Sequence, residues 1–72
     1  MRVFCRTIVH LVIEGRKVDA EIAVEERLDG RATVVAVERF TGEKIVVYGP
    51  RPIEAAIRLA EELCVSDEVR VL

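Results

Sequence analysis

His10 is the first candidate for chemistry, because it is the single histidine among 72 residues. A catalytic base or a metal ligand needs further polar groups that converge on the ring. The surrounding sequence offers carboxylates alone, and the hairpin register argued below sets His10 opposite Glu21. We therefore expect an exposed cross-strand partner of Glu21 and not a reactive histidine.

Cys5 and Cys64 are the second candidates. Two cysteines are too few for a tetrahedral zinc site, and their separation of 59 residues excludes a Cys-x-x-Cys redox motif. A disulfide is one alternative, and in the chain-entropy model so long a loop contributes about 4 kcal/mol. We expect two separate buried thiols instead. The predicted helix holds the two residues about 18 Å apart along its axis, whereas bonded Cα atoms lie within about 7 Å.

Glu26 is the third candidate, since it falls among core-facing positions, where burial raises the pKa of a carboxyl and makes a general acid. A contact with a helix N-terminus, or a bulge at Glu25-Glu26, explains the same position without catalysis. No nucleophile or base is predicted beside it, and the glycines lack phosphate-loop spacing. The sequence therefore predicts no catalytic, cofactor-binding or metal-binding residue, and we expect a protein that is not an enzyme.

A hairpin from Arg2 to Leu28 is predicted to position these residues. A two-residue loop at Gly15-Arg16 sets Glu14 opposite Lys17, and one face of both strands is then apolar. Carried along the strands, this register gives three more acid–base pairs, His10–Glu21, Arg6–Glu25 and Arg2–Asp29.

Two further turns extend the sheet. Asp29-Gly30 is a two-residue turn signal that pairs Ala23 with Ala36, so the third strand runs from about Arg31 to Arg39. Its predicted core-facing residues are Thr33, Val35 and Val37. A bulged turn at Phe40-Thr41-Gly42 leads into a fourth strand that ends at Tyr48-Gly49, with Ile45 and Val47 on the core face.

A helix follows the sheet, because Pro52 suits a first helical turn and apolar residues recur at helical spacing from Ile53 to Cys64. The residues from Glu68 to Leu72 alternate as a short last strand, placed beside strand one or against a neighbouring subunit. The sequence therefore predicts one α+β domain over residues 1–72. Its four-stranded antiparallel meander is followed by one helix packed on one sheet face and a short C-terminal strand, in the order ββββαβ. We expect the helix to run antiparallel to strand four.

The amino-acid composition is typical of a folded protein, and it excludes few functions. Apolar residues make up 51% of the chain and charged residues 33%, which excludes a disordered protein. The apolar runs are too short for a membrane span, and no charged-then-apolar leader opens the sequence, so we expect a cytoplasmic protein. Asn and Gln are absent and paired charges are abundant, which suggests a thermophile, whereas the excess of Arg over Lys is also explained by genomic base composition.

The outer face of the predicted sheet is the most informative surface, because it carries an apolar band bordered by charge. Such a band indicates a partner surface, and association is a common route to stability at this length. We expect a small non-catalytic protein, a homodimer, that self-associates or docks a protein partner through the outer face or edge of its sheet. The predicted interface residues are Ile8, Ala23, Val34, Ala36, Val46 and Tyr48.

Two alternatives stay open. The first is a single-stranded nucleic-acid-binding module, which is similar in element order alone to PUR-repeat and Whirly domains; the net charge of -2 disfavours it. Its contacts would be two stacking aromatics and three bases, Phe4, Tyr48, Arg2, Arg6 and Arg27. The second is an antitoxin-like or regulatory partner of another protein, docked on the same band or on the last strand.

Overall fold

The fold is described by a computed structural model that covers residues 2–64 and 68–71, with side chains described for residues 8–64. Its elements are β1 (Arg2–Ile13), β2 (Arg16–Glu26), β3 (Arg31–Glu38), β4 (Lys44–Pro52), α1 (Ile53–Cys64) and β5 (Glu68–Val71). The strands lie in the order β4-β3-β2-β1-β5, and β1 to β4 are antiparallel neighbours. The predicted α+β class, with a four-stranded antiparallel meander and a following helix, is confirmed.

The first hairpin turns at Glu14-Gly15, so the predicted Gly15-Arg16 loop is wrong. Both turn residues have positive φ, 51° and 79°, as in a type I′ turn, whose twist matches that of the strands. His10 consequently pairs with Asp19 and Leu11 with Val18, two residues away from the predicted register. Because the side-chain period of a strand is two residues, this shift leaves the predicted core face intact over the described part of the hairpin.

Two irregularities in β1 shift the register again toward its start, where Cys5 pairs with Ile22 and Arg2 with Val24. The predicted pairs Arg2–Asp29, Arg6–Glu25 and His10–Glu21 are therefore not formed. Each bulge adds a residue to one strand and bends it.

The second turn spans residues 27–30 and not Asp29-Gly30 alone. The Arg27 N–H donates to the Arg31 carbonyl at 2.7 Å, and the Gly30 N–H donates to the Arg27 carbonyl at 3.3 Å. Ile22 then pairs with Ala36 and Ala23 with Val35, one residue away from the prediction. A one-residue shift reverses the two faces of a strand.

The reversal makes the predicted core face of β3 wrong. Its inward residues are Ala32, Val34 and Ala36, whereas Thr33, Val35 and Val37 face away from the helix. Leu28, the last residue of the predicted hairpin, lies fully exposed in the turn.

The third turn is held by Glu38. Its carboxylate accepts hydrogen bonds from the Thr41 hydroxyl at 2.6 Å and from the N–H groups of Thr41 and Phe40 at 2.7 and 3.2 Å. Ile45 pairs with Ala36, and Ile45 and Val47, which lie two residues apart on β4, both pack on the core, as predicted. β4 continues past its predicted end to Pro52, which pairs with Arg31. An edge strand tolerates prolines because one side of it needs no ladder hydrogen bonds.

Helix α1 has the predicted bounds, and it buries Ala56, Ala60 and Leu63 against the sheet. It contacts each of the strands β1 to β4. Twelve residues give a helix of about 18 Å, and the step from β4 to β1 is about 14 Å. The helix therefore crosses the sheet obliquely, and its expected antiparallel direction relative to strand four stays a prediction.

Cys64, the last residue of α1, is disulfide-bonded, so the expected separate thiol is wrong at this position. The expectation placed the full helix length along the strands. Since α1 begins directly after β4 and also contacts β1, its later turns approach β1 instead. The sequence contains one other cysteine, Cys5, whose side chain lies outside the described ones.

The core lies between α1 and the inner face of β1 to β4. It consists of small and β-branched residues from the strands and of the buried helix residues. Glu26 is exposed, so it is not the buried general acid that its core-facing position had made a candidate. β5 runs parallel to β1 and pairs with His10–Ile13, and the predicted strand residue Leu72 lies outside the described residues.

Candidate functional site

The outer face of the sheet, which lies opposite α1, is the first candidate surface. Its middle row consists of Ala23, Val35 and Val46, paired across β2, β3 and β4. Ala23 and Val35 are buried, whereas Val46 is 62% exposed. The apolar row therefore reaches solvent at its β4 end.

Two predicted interface residues do not lie on this face. Val34 and Ala36 belong to the helix-side core and are fully buried, so their predicted outer position is wrong. The cause is the one-residue shift of β3, which replaces Ala36 by Val35 in the row of Ala23 and Val46.

The remaining predicted interface residues are half-buried. Tyr48 pairs with Val34 and packs against the helix-side core, and the Arg51 guanidinium lies 5.1 Å from the centre of its ring. Ile8 is half-buried beside the inward-facing Val9. Of the predicted set, the structure thus brings Ala23 and Val46 together and separates Tyr48 from them.

An ion pair crosses the outer face. Lys44 Nζ lies 2.8 Å from Glu25 Oε2. Glu25 pairs with Thr33 and Lys44 pairs with Val37, so Val35 lies midway between them on β3. The pair therefore passes over Val35, which explains why this outward-facing residue is only 2% exposed. The hydrogen bond from Lys44, together with its charge, lowers the pKa of Glu25 from its ordinary value.

His10 also lies on this face and hydrogen-bonds Asp19, with 2.6 Å between Nδ1 and Oδ1. Both side chains are exposed to solvent, at 64% and 40%. The expectation of an exposed cross-strand partner is confirmed, with Asp19 in place of Glu21. Among the described residues, no three His, Cys, Asp or Glu side chains lie close enough to hold a metal ion.

A notch beside the outer face is the second candidate surface. The last pair between β2 and β3 is Ala20 with Glu38, and residues 16–19 of β2 extend beyond it. At this end of the ladder, the Arg39 N–H donates a hydrogen bond to the Asp19 carbonyl at 2.9 Å. The chain of β3 turns away there and leaves an open groove of about 670 Å³. Residues that line it include Arg16, Lys17, Asp19, Glu38, Phe40 and Glu43.

The two walls of the notch carry opposite charges. The β2 wall carries Arg16, Lys17 and one acid, Asp19, so its net charge is positive, whereas Glu38 and Glu43 lie on the wall formed by the β3–β4 turn. Hydrogen bonds from Thr41 and from the Phe40 N–H, together with the charge of Arg16, lower the pKa of Glu38 from its ordinary value. Glu38 is therefore a stable negative charge at neutral pH.

Phe40 stands at the mouth of the notch and is 79% exposed. The Arg39 guanidinium lies 5.3 Å from the centre of its ring, a cation–π contact. Phe40 is predicted from the sequence only as a turn residue. A large aromatic residue in a turn next to an arginine was the signal that could have marked it, because aromatic and arginine side chains are enriched in protein interfaces.

The predicted nucleic-acid contacts are not assembled into one surface by the described residues. Arg27 lies in the β2–β3 turn, where its Nε is 3.2 Å from Asp29 Oδ2. Tyr48 packs on the helix side, as described above. The side chains of Arg2, Phe4 and Arg6 lie outside the described residues.

Comparisons with protein-family models, curated proteins and solved structures find no match to this chain. The class of the protein is therefore defined by its fold, an α+β domain with a four-stranded antiparallel sheet and a helix on one face. Within the described part of the chain, no helix is long and apolar enough to cross a membrane.

Proposed function

We propose that this protein is a small non-catalytic association module that forms a homodimer through the outer face of its sheet. The observation that carries the proposal is Val46, a large apolar residue that is 62% exposed at the end of an otherwise buried row. Helix α1 covers the opposite face and leaves this one open. A partner sheet would remove Val46 from water.

A second copy of the chain suits this face because the face carries charges of both signs. Glu21 and Glu25 lie along β2, and Lys44 lies on β4. A two-fold axis sets each residue of a patch against a different residue of the same patch, so a patch of mixed charge can complement itself. A chain of 72 residues also has a small core, and oligomerisation is a common way to stabilise one.

Pairing through the sheet edges is a weaker alternative. The β4 edge contains Pro50 and Pro52, which have no N–H to donate, and a bulge beside Val47. At the other edge we propose that β5 closes the sheet within its own chain. The parallel pairing of Glu68–Val71 with His10–Ile13 supports that arrangement.

A cytoplasmic location in a thermophile belongs to the same proposal. Disulfides are rare in the cytosol of mesophiles but frequent in intracellular proteins of hyperthermophiles. The bonded state of Cys64 and the absence of Asn and Gln from the sequence are both in keeping with such a source.

Sedimentation equilibrium tests the outer-face dimer. The measurement is made in about 1 M salt, where the Debye length is about 3 Å, because high salt screens contacts that depend on surface charge. We expect the wild type to be a dimer at micromolar concentration and Val46→Glu to be a monomer, since the new carboxylate would lose its water in the interface. Leu28→Glu is the matched control, because it adds the same charge at an exposed apolar residue in the β2–β3 turn. A monomeric wild type, or equal effects of the two substitutions, would contradict the proposal.

A further inference from the structure

We propose that the notch is a second self-association surface, at which two copies of this chain meet across a two-fold axis. The inference does not rest on the outer-face dimer. It depends on the charge order of the walls, on Phe40 and on the step in the sheet, none of which involves Val46.

The charge order of the notch selects its occupant. Arg16 and Lys17 outnumber Asp19 on the β2 wall, where the Asp19 carboxylate is hydrogen-bonded to His10, and Glu38 and Glu43 lie on the other wall. A ligand with one sign of charge is attracted by one wall and repelled by the other. A second copy turned by a two-fold axis presents the inverse order, so that each basic wall faces the acidic wall of the other copy.

Phe40 supplies the apolar anchor of this contact. It is 79% exposed at the mouth of the notch, and Arg39 lies over its ring. Aromatic and arginine side chains in such positions carry a large share of the binding energy in protein interfaces. In the two-fold arrangement each Phe40 enters the notch of the other copy.

The step in the sheet adds directional contacts. β2 continues past its last pair with β3 at Ala20, so the edge of residues 16–18 faces the notch and not a neighbouring strand of the described sheet. Strand edges pair readily with an extended segment of another chain. With the outer-face dimer, the notch contact gives each copy two different two-fold interfaces, and it leads to a tetramer if the axes close.

Sedimentation of the Val46→Glu variant isolates the notch, because that substitution removes the outer-face contact. In about 10 mM salt, where the Debye length is about 30 Å, we expect this variant to be a dimer that dissociates in about 1 M salt. Adding Phe40→Ala raises the dimer dissociation constant by about tenfold or more. Adding Leu28→Ala, an equal truncation of an exposed residue outside the notch, leaves it unchanged. A monomer at low salt, or equal effects of the two truncations, overturns the inference.

A charge exchange between the walls tests the two-fold geometry. On the Val46→Glu background, Arg16→Glu and Glu43→Arg should each abolish the low-salt dimer, since both contacts then join like charges. An equimolar mixture of the two variants should form a heterodimer, because both contacts are again complementary, and the double variant should form a homodimer. Circular dichroism confirms that each variant is folded. Association of either single variant alone, or failure of the mixture and the double variant to associate, overturns the inference.

If Val46→Glu leaves the high-salt dimer intact while the charge exchange behaves as described, the outer-face proposal fails and the notch stands. If the charge exchange fails while Val46→Glu abolishes the high-salt dimer, the notch inference fails and the outer-face proposal stands.

Discussion

Lys44 changes the character of the outer face. Its ammonium reaches Glu25 across β3 and covers Val35, so a residue that lies on the open face of the sheet is shielded from water without a second helix. Long charged side chains often cover apolar surface in this way. The apolar band that the sequence predicts is therefore reduced to its β4 end at Val46.

The lowered pKa of Glu25 predicts a pH-dependent contribution to stability. The folded protein holds this proton less readily than the unfolded chain, so the contribution is present above the ordinary value of 4.5 and is lost as the pH falls through the lowered folded pKa. We expect Glu25→Gln to melt at a slightly lower temperature than the wild type at pH 7. The difference should shrink as the pH is lowered below 4.5.

Thermal melts monitored by circular dichroism at pH 7 and at a pH below 4.5 provide the measurement. Glu21→Gln, on the same strand and also half-buried, is the control for loss of a carboxylate. A difference between Glu25→Gln and the wild type that is unchanged at the lower pH would show that Lys44 does not stabilise the folded state through this carboxylate.

At the scale of elements, the turn at Glu14-Gly15 determines the register of the first hairpin. The type I′ turn needs positive φ at both positions, and Glu14 adopts it at 51° although glutamate prefers negative φ. Asn and Gly adopt this conformation more readily. The hairpin therefore holds local strain that a substitution can relieve.

Two substitutions in this turn should act in opposite directions. Glu14→Asn is expected to raise the free energy of unfolding by about 0.5–1 kcal/mol, and Gly15→Ala to lower it by about 1–2 kcal/mol. Urea denaturation of the two variants and the wild type measures both effects. A turn centred on Gly15-Arg16 would make Glu14→Asn neutral, so a zero effect there would contradict the observed register.

How well the sequence predicts the core-facing side of a strand depends on the pattern of apolar and polar residues along that strand. In β2, Val18 and Ala20 alternate with charged neighbours, so the inner face of the hairpin was predicted correctly although the turn was placed one residue too late. In β3, positions 32–37 read Ala-Thr-Val-Val-Ala-Val, and both faces are equally apolar. Only the length of the preceding turn then decides the faces, and the Arg27 backbone hydrogen bonds that lengthen it have no sequence signature.

The same limit explains the candidate sites. Val46 and Ala23 were predicted on the outer face because β2 and β4 keep their phase, whereas Val34 and Ala36 were misplaced with β3. The notch could not be predicted, since it arises where one hairpin extends past the next, and strand ends depend on turn positions that sequence patterns leave open.

At the scale of the whole molecule, the disulfide at Cys64 restrains the end of the helix. Cys5 is the other cysteine of the sequence, and a bond between them closes a loop that the chain-entropy model values at about 4 kcal/mol. For a domain of this size, that corresponds to about 15–30 °C in melting temperature.

We therefore expect a reducing agent to lower the melting temperature of the wild type by about 15–30 °C. The Cys64→Ala variant should melt near the reduced wild type and respond to the reducing agent no further. Calorimetry with and without reductant provides the measurement, and mass spectrometry of an unreduced digest identifies the bonded partner. Equal melting temperatures of the oxidised and reduced wild type would show that the disulfide does not contribute to thermal stability.

The oblique course of α1 also affects how the molecule opens. Because this helix rests on β1, β2, β3 and β4 at once, it cannot leave one strand and stay on the others. Detachment of the helix would expose the inner face of all four strands to water at the same time. The amide hydrogens in the middle of β2 and β3 should then exchange with deuterium only through complete unfolding, as one cooperative unit.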